Sequence, residues 1–147
     1  MPNTAASYSA YKQVDVETTS QGKLIVMLFN GAIQRAEEAR RQLEKGRYDV
    51  VHNNLIRAQA IIGELRNALN MSAGDIARNL DRSYEYFQYL LIQANLRKDP
   101  APIVECVDLM SQLRDTWQEL FDRVRNDQTL RTPKINAYGP ALINVKG

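Results

Sequence analysis

Six consecutive apolar residues, Leu24-Ile25-Val26-Met27-Leu28-Phe29, follow directly on a candidate helix start at Thr18-Thr19-Ser20. Serine and threonine oxygens there are suited to capping the free N–H groups of a first turn. A helical pattern then continues to about Leu43. A helix turns about 100° per residue, so six adjacent apolar positions occupy its whole circumference, whereas one helix–helix seam needs a single stripe. This helix must be covered on more than one side at its start, either by the rest of the chain or by something else.

Three further helical patterns follow. The first helix is predicted over about 20–45, with an inward stripe of Ile25, Leu28, Ala32, Ala36, Ala39 and Leu43, and it stops at Gly46, a good residue just past a C-cap. The second covers about 49–70, with Val51, Leu55, Ala58, Ile62, Leu65 and Leu69 inward. The third opens after Ser72-Ala73-Gly74 with Asp75 as cap or first-turn acid. Its stripe is Ile76, Leu80, Ser83/Tyr84, Phe87, Leu90/Leu91 and Ala94, and it ends at Arg97-Lys98-Asp99. The fourth opens at Pro100-Ala101-Pro102, with Pro102 assigned to the first helical position, and carries Ile103, Cys106, Met110, Leu113, Trp117, Leu120 and Val124. Steps of three and four, joined by short turns, argue for antiparallel neighbours. Helices of roughly 22–26 residues are each about 33–39 Å long. The expected fold is all-α, an antiparallel up-down four-helix bundle over 19–128. An N-terminal arm over 1–18, polar and read as extended or irregular, precedes it. A flexible tail over 129–147 follows, punctuated by Thr132-Pro133 and Gly139-Pro140.

Charge and composition narrow the function. The net charge is +2, too small to draw nucleic acid by bulk attraction. Residues 20–128 carry 15 basic and 15 acidic side chains, while the tail holds Arg131, Lys134 and Lys146 with no acid. The tail's Ile135, Leu142, Ile143 and Val145 make it apolar enough to dock on a groove of its own chain. The first residues, Met1-Pro2-Asn3-Thr4-Ala5-Ala6-Ser7, show no basic stretch followed by a long apolar one, and the longest apolar runs are far short of a membrane span, so the expectation is a soluble cytoplasmic protein without membrane insertion.

Sites of chemistry are sparse. Cys106 is the only cysteine, which removes any internal disulfide, and its place on an apolar stripe makes it core. His52 is the only histidine. Asp49-x-x-His52 is a faint carboxylate–histidine pair, but a di-metal bundle needs two such motifs and further inward acids, and the stripes hold none. His52 reads as a helix-surface residue. No cofactor, metal site or enzymatic centre is expected. The crowded run Tyr84-Glu85-Tyr86-Phe87-Gln88-Tyr89-Leu90-Leu91-Ile92 suits either a core with an amphipathic rim or a protein-binding surface, and basic residues are not interleaved with these aromatics as single-stranded nucleic acid would require. The first and third helices thus carry more apolar surface than one seam uses, which points to a groove for an amphipathic helix or an unfolded segment. A bundle that binds a regulator's helix, or a second copy of itself, satisfies the same pattern.

Seven pieces in order give the chain a resemblance. They are Tyr11-Lys12-Gln13-Val14; Thr19-Ser20 with Lys23-Leu24-Ile25-Val26-Met27-Leu28-Phe29-Asn30-Gly31-Ala32; Asn54-Leu55-Ile56-Arg57-Ala58-Gln59-Ala60-Ile61-Ile62; Gly74-Asp75-Ile76-Ala77-Arg78-Asn79-Leu80; Tyr84-Glu85-Tyr86; Gln93-Ala94-Asn95-Leu96-Arg97-Lys98-Asp99; and Arg114-Asp115-Thr116-Trp117. Together they resemble the flagellar secretion chaperones, the FliS family, over roughly 8–122. Two departures stand out: Gln21 replaces a proline frequent after the cap serine, and Tyr89-Leu90 occupy a region where the family commonly carries two arginines. The resemblance implies a small helical bundle that binds the disordered C-terminal segment of flagellin. It also implies docking at the cytoplasmic domain of the flagellar export gate, an N-terminal arm that covers part of the groove in the absence of client, and other flagellar regulators as further candidate partners. The expected partner contacts are Leu24, Met27, Leu28 and Phe29 on one part of the groove, Ile61, Tyr84, Phe87, Leu91 and Leu96 on others, and Tyr8, Tyr11 and Val14 on the displaceable arm. Phe29→Asp or Leu91→Asp is expected to cut client binding.

Overall fold

The computed structural model describes residues 4–126, with side chains from residue 21 onward. Its elements are α1 (Thr4–Glu44), α2 (Tyr48–Asn67), a 3₁₀ turn (Met71–Ala73), α3 (Asp75–Arg97) and α4 (Pro100–Asn126). The tail over 129–147 lies outside the described residues.

Short connections force each helix back along its predecessor. Gly46 closes α1 at φ +68, where a left-handed conformation costs glycine nothing, and its N–H donates to the Leu43 carbonyl at 3.0 Å. Between α2 and α3 the Asn70 side chain accepts from the Ser72 N–H at 3.2 Å. Lys98, at φ 50, turns the chain out of α3, and the Asp99 N–H reaches back to the Ala94 carbonyl at 3.2 Å. Asp99 then caps α4 by accepting from the Ala101 N–H at 3.0 Å. Pro100, rather than Pro102, therefore takes the first helical position, because the acid that caps the helix immediately precedes it.

The helices pack in cyclic order, α1 on α2, α2 on α3, α3 on α4 and α4 on α1, which is the up-down bundle expected. The core runs through Ile25, Phe29, Ala32, Ala36 and Ala39 of α1, Leu55, Ile62 and Leu65 of α2, Leu80, Tyr84, Phe87 and Leu91 of α3, and Ile103, Cys106, Met110 and Trp117 of α4. Tyr84 sits at its centre, its ring 6.1 Å from Phe29 and 6.2 Å from Phe87.

Two further expectations change. The N-terminal arm, read as extended or irregular, is helical from Thr4, so α1 is one helix of 41 residues and Thr18-Thr19-Ser20 lie in its interior rather than at its cap. No proline or glycine interrupts residues 3–21, and extending an existing helix costs far less than starting one. Ile76 is exposed, and Ala77 takes the inward position, because α3 begins at Asp75 and that start sets which residue of the first turn faces α2 and α4.

Candidate partner-binding grooves

The groove between α1 and α2 is built around Gly31. A Cβ placed there would stand 3.4 Å from Ile61 Cδ1, so the absent side chain lets the two helices approach. One turn before Gly31, Leu28 is half-buried beside this seam, as Ile61 is across it. Leu24 and Met27 stand on the outer side of the same stretch, 54% and 65% exposed. The opening apolar run therefore divides: Ile25 and Phe29 fill the core, while Leu24 and Met27 form an apolar rim that the bundle leaves open.

A polar clamp fixes the register of α2 on α3. Arg66 grips Asp81 with two hydrogen bonds, Nε to Oδ1 at 2.8 Å and Nη2 to Oδ2 at 3.2 Å, and donates to Gln88 Oε1 at 3.0 Å. The Asp81 carboxylate raises the Arg66 pKa above its ordinary value. Gln88 in turn donates to the Gln59 carbonyl at 3.2 Å, and His52 Nδ1 lies 2.8 Å from Asn95 Nδ2. Seven residues forward on α2 match seven back on α3 at each step, so Ile56 falls level with Leu91 and Ile92. Tyr89, Ile92 and Leu96 form an exposed row on α3 at helical spacings of three and four, with Leu96 75% exposed. Tyr86 extends it, stacked on Tyr89 at 6.2 Å. This second row lies on the side of α3 away from its core stripe.

The structure separates the nominated contacts into three groups. Leu24, Met27 and Leu96 are on the surface, and Leu28 and Ile61 are half-buried. Phe29, Tyr84, Phe87 and Leu91 are core residues in this structure: on α1 the inward positions step 25, 29, 32, 36, and on α3 the stripe 77, 80, 84, 87, 91 points between α2 and α4. Phe29→Asp or Leu91→Asp would place a carboxylate in a fully buried site and act on folding before it acted on any partner. The side chains of Tyr8, Tyr11 and Val14 lie outside the described residues. Ile56 and Ile92, 45% and 42% exposed, are not among the contacts expected from the sequence. Their signal is an apolar residue standing off the three–four stripe of its own helix, matched by another on the neighbouring helix.

Burial, with Glu105 next to it, pushes the Cys106 thiol up to about 12, and its Sγ lies 3.6 Å from the Phe87 carbonyl. That is the behaviour of a small core hydrophobe rather than a nucleophile. Among the described residues no group of three or more His, Cys, Asp or Glu side chains is placed to hold a metal, and no helix is long and apolar enough to cross a membrane.

Comparison with known proteins gives this surface a context. A family model described as flagellar protein FliS matches residues 4–124. The chain is 37% identical over 123 residues to the flagellar secretion chaperone FliS of Salmonella typhimurium, an alignment covering 80% of this chain and 91% of that protein. It is 31% identical over 121 residues to the protein of the same description from Bacillus subtilis, covering 82% and 90%. The Vibrio cholerae protein is 32% identical over 125 residues, covering 82% and 92%.

Proposed function

The chain belongs to the FliS family of flagellar proteins, and from that premise we propose that it is a cytoplasmic export chaperone for flagellin. It binds the disordered C-terminal segment of flagellin, keeps it from polymerising and delivers it to the cytoplasmic domain of the flagellar type III export gate. The observation that carries this reading is the pair of open apolar rows, Leu24 and Met27 beside the α1–α2 groove and Tyr89, Ile92 and Leu96 beside the α2–α3 groove. An unfolded client can follow such rows from one groove to the next. Burying apolar area at about 25 cal/mol per Å² opposes an ordering cost of roughly 2–5 kcal/mol or more. Leu24, Met27, Leu28, Ile61 and Leu96 are the contacts this geometry supports. Tyr8, Tyr11 and Val14 keep the displaceable role proposed for them, which on a helix continuous with α1 requires the first turns to move. Deleting residues 1–18 should then tighten client binding, and unchanged affinity would remove that role.

Calorimetric titration with the C-terminal segment of flagellin from the same organism tests the whole reading. One client per chaperone, a negative heat-capacity change and a gain of helix are expected. Leu24→Asp with Met27→Asp, or Leu96→Asp alone, should weaken binding by about tenfold or more, since exposed positions accept the charge without unfolding. A folded protein that takes up no client would end the proposal.

A further inference from the structure

The third groove, between α3 and α4, is a cavity of about 550 Å³ open to solvent, walled by Ser83, Tyr86 and Phe87 on one side and Leu109, Leu113 and Thr116 on the other. It lies on the far side of α3 from the α2–α3 groove, and Tyr86, whose ring stacks on Tyr89, is the one lining residue it shares with the exposed α3 row. We propose that this groove is the docking site of the chain's own C-terminal segment, residues 128–147.

Charge supports that occupant first. Acidic residues follow one another along the outer side of α4 at helical spacing, Glu105, Asp108, Asp115, Glu119 and Asp122. Asp115, Glu119 and Asp122 pair with Arg114, Arg123 and Arg125 of the same helix. Asp108 accepts only a hydrogen bond from Gln112, and Glu105 one from the Tyr86 hydroxyl, so among the described residues neither has a cation within ion-pair distance. These two flank the Leu109 end of the groove. Residues 128–147 carry Arg131, Lys134 and Lys146 and no acid, together with Ile135, Tyr138, Leu142, Ile143 and Val145. A basic, apolar segment thus matches a channel whose Tyr86, Phe87, Leu109 and Leu113 are apolar, whose Ser83, Gln112 and Thr116 are polar, and whose α4 rim is acidic. Arg82, which also lines the channel, stands on the α3 wall opposite that rim.

Length and attachment support it second. Asp127, the last acid of the chain, joins the segment to α4, which ends at Asn126. Thr116 lies about 15 Å back along that helix and Leu109 about 26 Å back. Six to nine extended residues span about 20–30 Å. Thr132-Pro133 supplies a turn within that reach, and the apolar residues 135–145 then fall beside the channel. A short tether holds its ligand at an effective concentration in the millimolar range, so even a weak contact is occupied most of the time.

The test uses the full chain without client, which keeps it independent of the flagellin reading. Zero-length carbodiimide cross-linking at low protein concentration should join Lys134 or Lys146 to Asp108 or Glu105 within one molecule, and peptide mass spectrometry identifies the pairs. Trypsin should cut after Lys134 about tenfold more slowly than in the Leu142→Asp, Ile143→Asp variant, as expected for a mostly occupied intramolecular site. Asp108→Lys, a surface change, should raise the cutting rate toward that of the variant. Cross-links only between two copies, or only to Asp15 or Glu17, would overturn the assignment, as would equal cutting rates in all three proteins.

Discussion

At the scale of single residues, one step along a helix decides between core and surface. Phe29 is fully buried against Tyr84, whereas Met27, two residues earlier, is 65% exposed. Phe29→Ala should therefore cost about 3–5 kcal/mol of stability by thermal or urea denaturation, while Met27→Ala should stay within about 0.5 kcal/mol. The run 24–29 announced excess apolar surface but not its partition. A 100° step per residue leaves two adjacent stripes indistinguishable until the neighbouring helices are placed. Cys106 was more legible, because a lone cysteine on an apolar stripe needs no further information to be read as core. Its thiol, pushed up to about 12, should stay unreactive toward Ellman's reagent at pH 8, since the thiolate is the attacking form and burial disfavours it. One equivalent should react after addition of denaturant, and rapid labelling of the native protein would contradict its burial.

At the scale of helices, what the sequence made plain was where α1 and α3 stop, and what it concealed was where the first begins. Gly46 and the Arg97-Lys98-Asp99 turn end their helices where turn chemistry requires, and both positions are local properties. The start of α1 is not local: Thr18-Thr19-Ser20 are good caps only if the preceding chain is not already helical, and here it is. The glycine that follows has a packing role instead. A Cβ on Gly22 would lie 2.8 Å from Phe121 Cγ, so glycine lets α4 close on α1. Gly22→Leu should overfill that contact and destabilise the bundle by about 1–3 kcal/mol, despite leucine's better helix propensity. The seam between α2 and α3 depends on the forked geometry of Arg66 on Asp81. Arg66→Ala should cost about 1 kcal/mol for this partly exposed pair. Arg66→Lys should recover little of it, because a single ammonium cannot make both bonds. Urea denaturation of the two variants gives the comparison, and full rescue by lysine would mean that charge alone holds the seam.

At the scale of the whole molecule, the cyclic order of four helices produces separate grooves, and separation has an energetic signature. Helix lengths and short turns made the up-down topology legible, but no periodicity within one helix can say which grooves stay open. Ile56 joins Ile92 at one level only because the Arg66–Asp81 and Gln59–Gln88 bonds set the register of two helices far apart in sequence. In the proposed complex the client meets the Leu24 and Met27 rim on α1 and the Tyr89, Ile92 and Leu96 row on α3, which have no residue in common. Losses from the Leu24→Asp, Met27→Asp pair and from Leu96→Asp should then add to within about 0.5 kcal/mol in a double-mutant cycle. Titration calorimetry on the two variants and their combination measures the coupling. Additive losses fit a client that wraps the bundle and makes two independent contacts. A combination no worse than the stronger single variant would mean that one contact forms only after the other, and the client would be read as a single cooperative unit docked across α2.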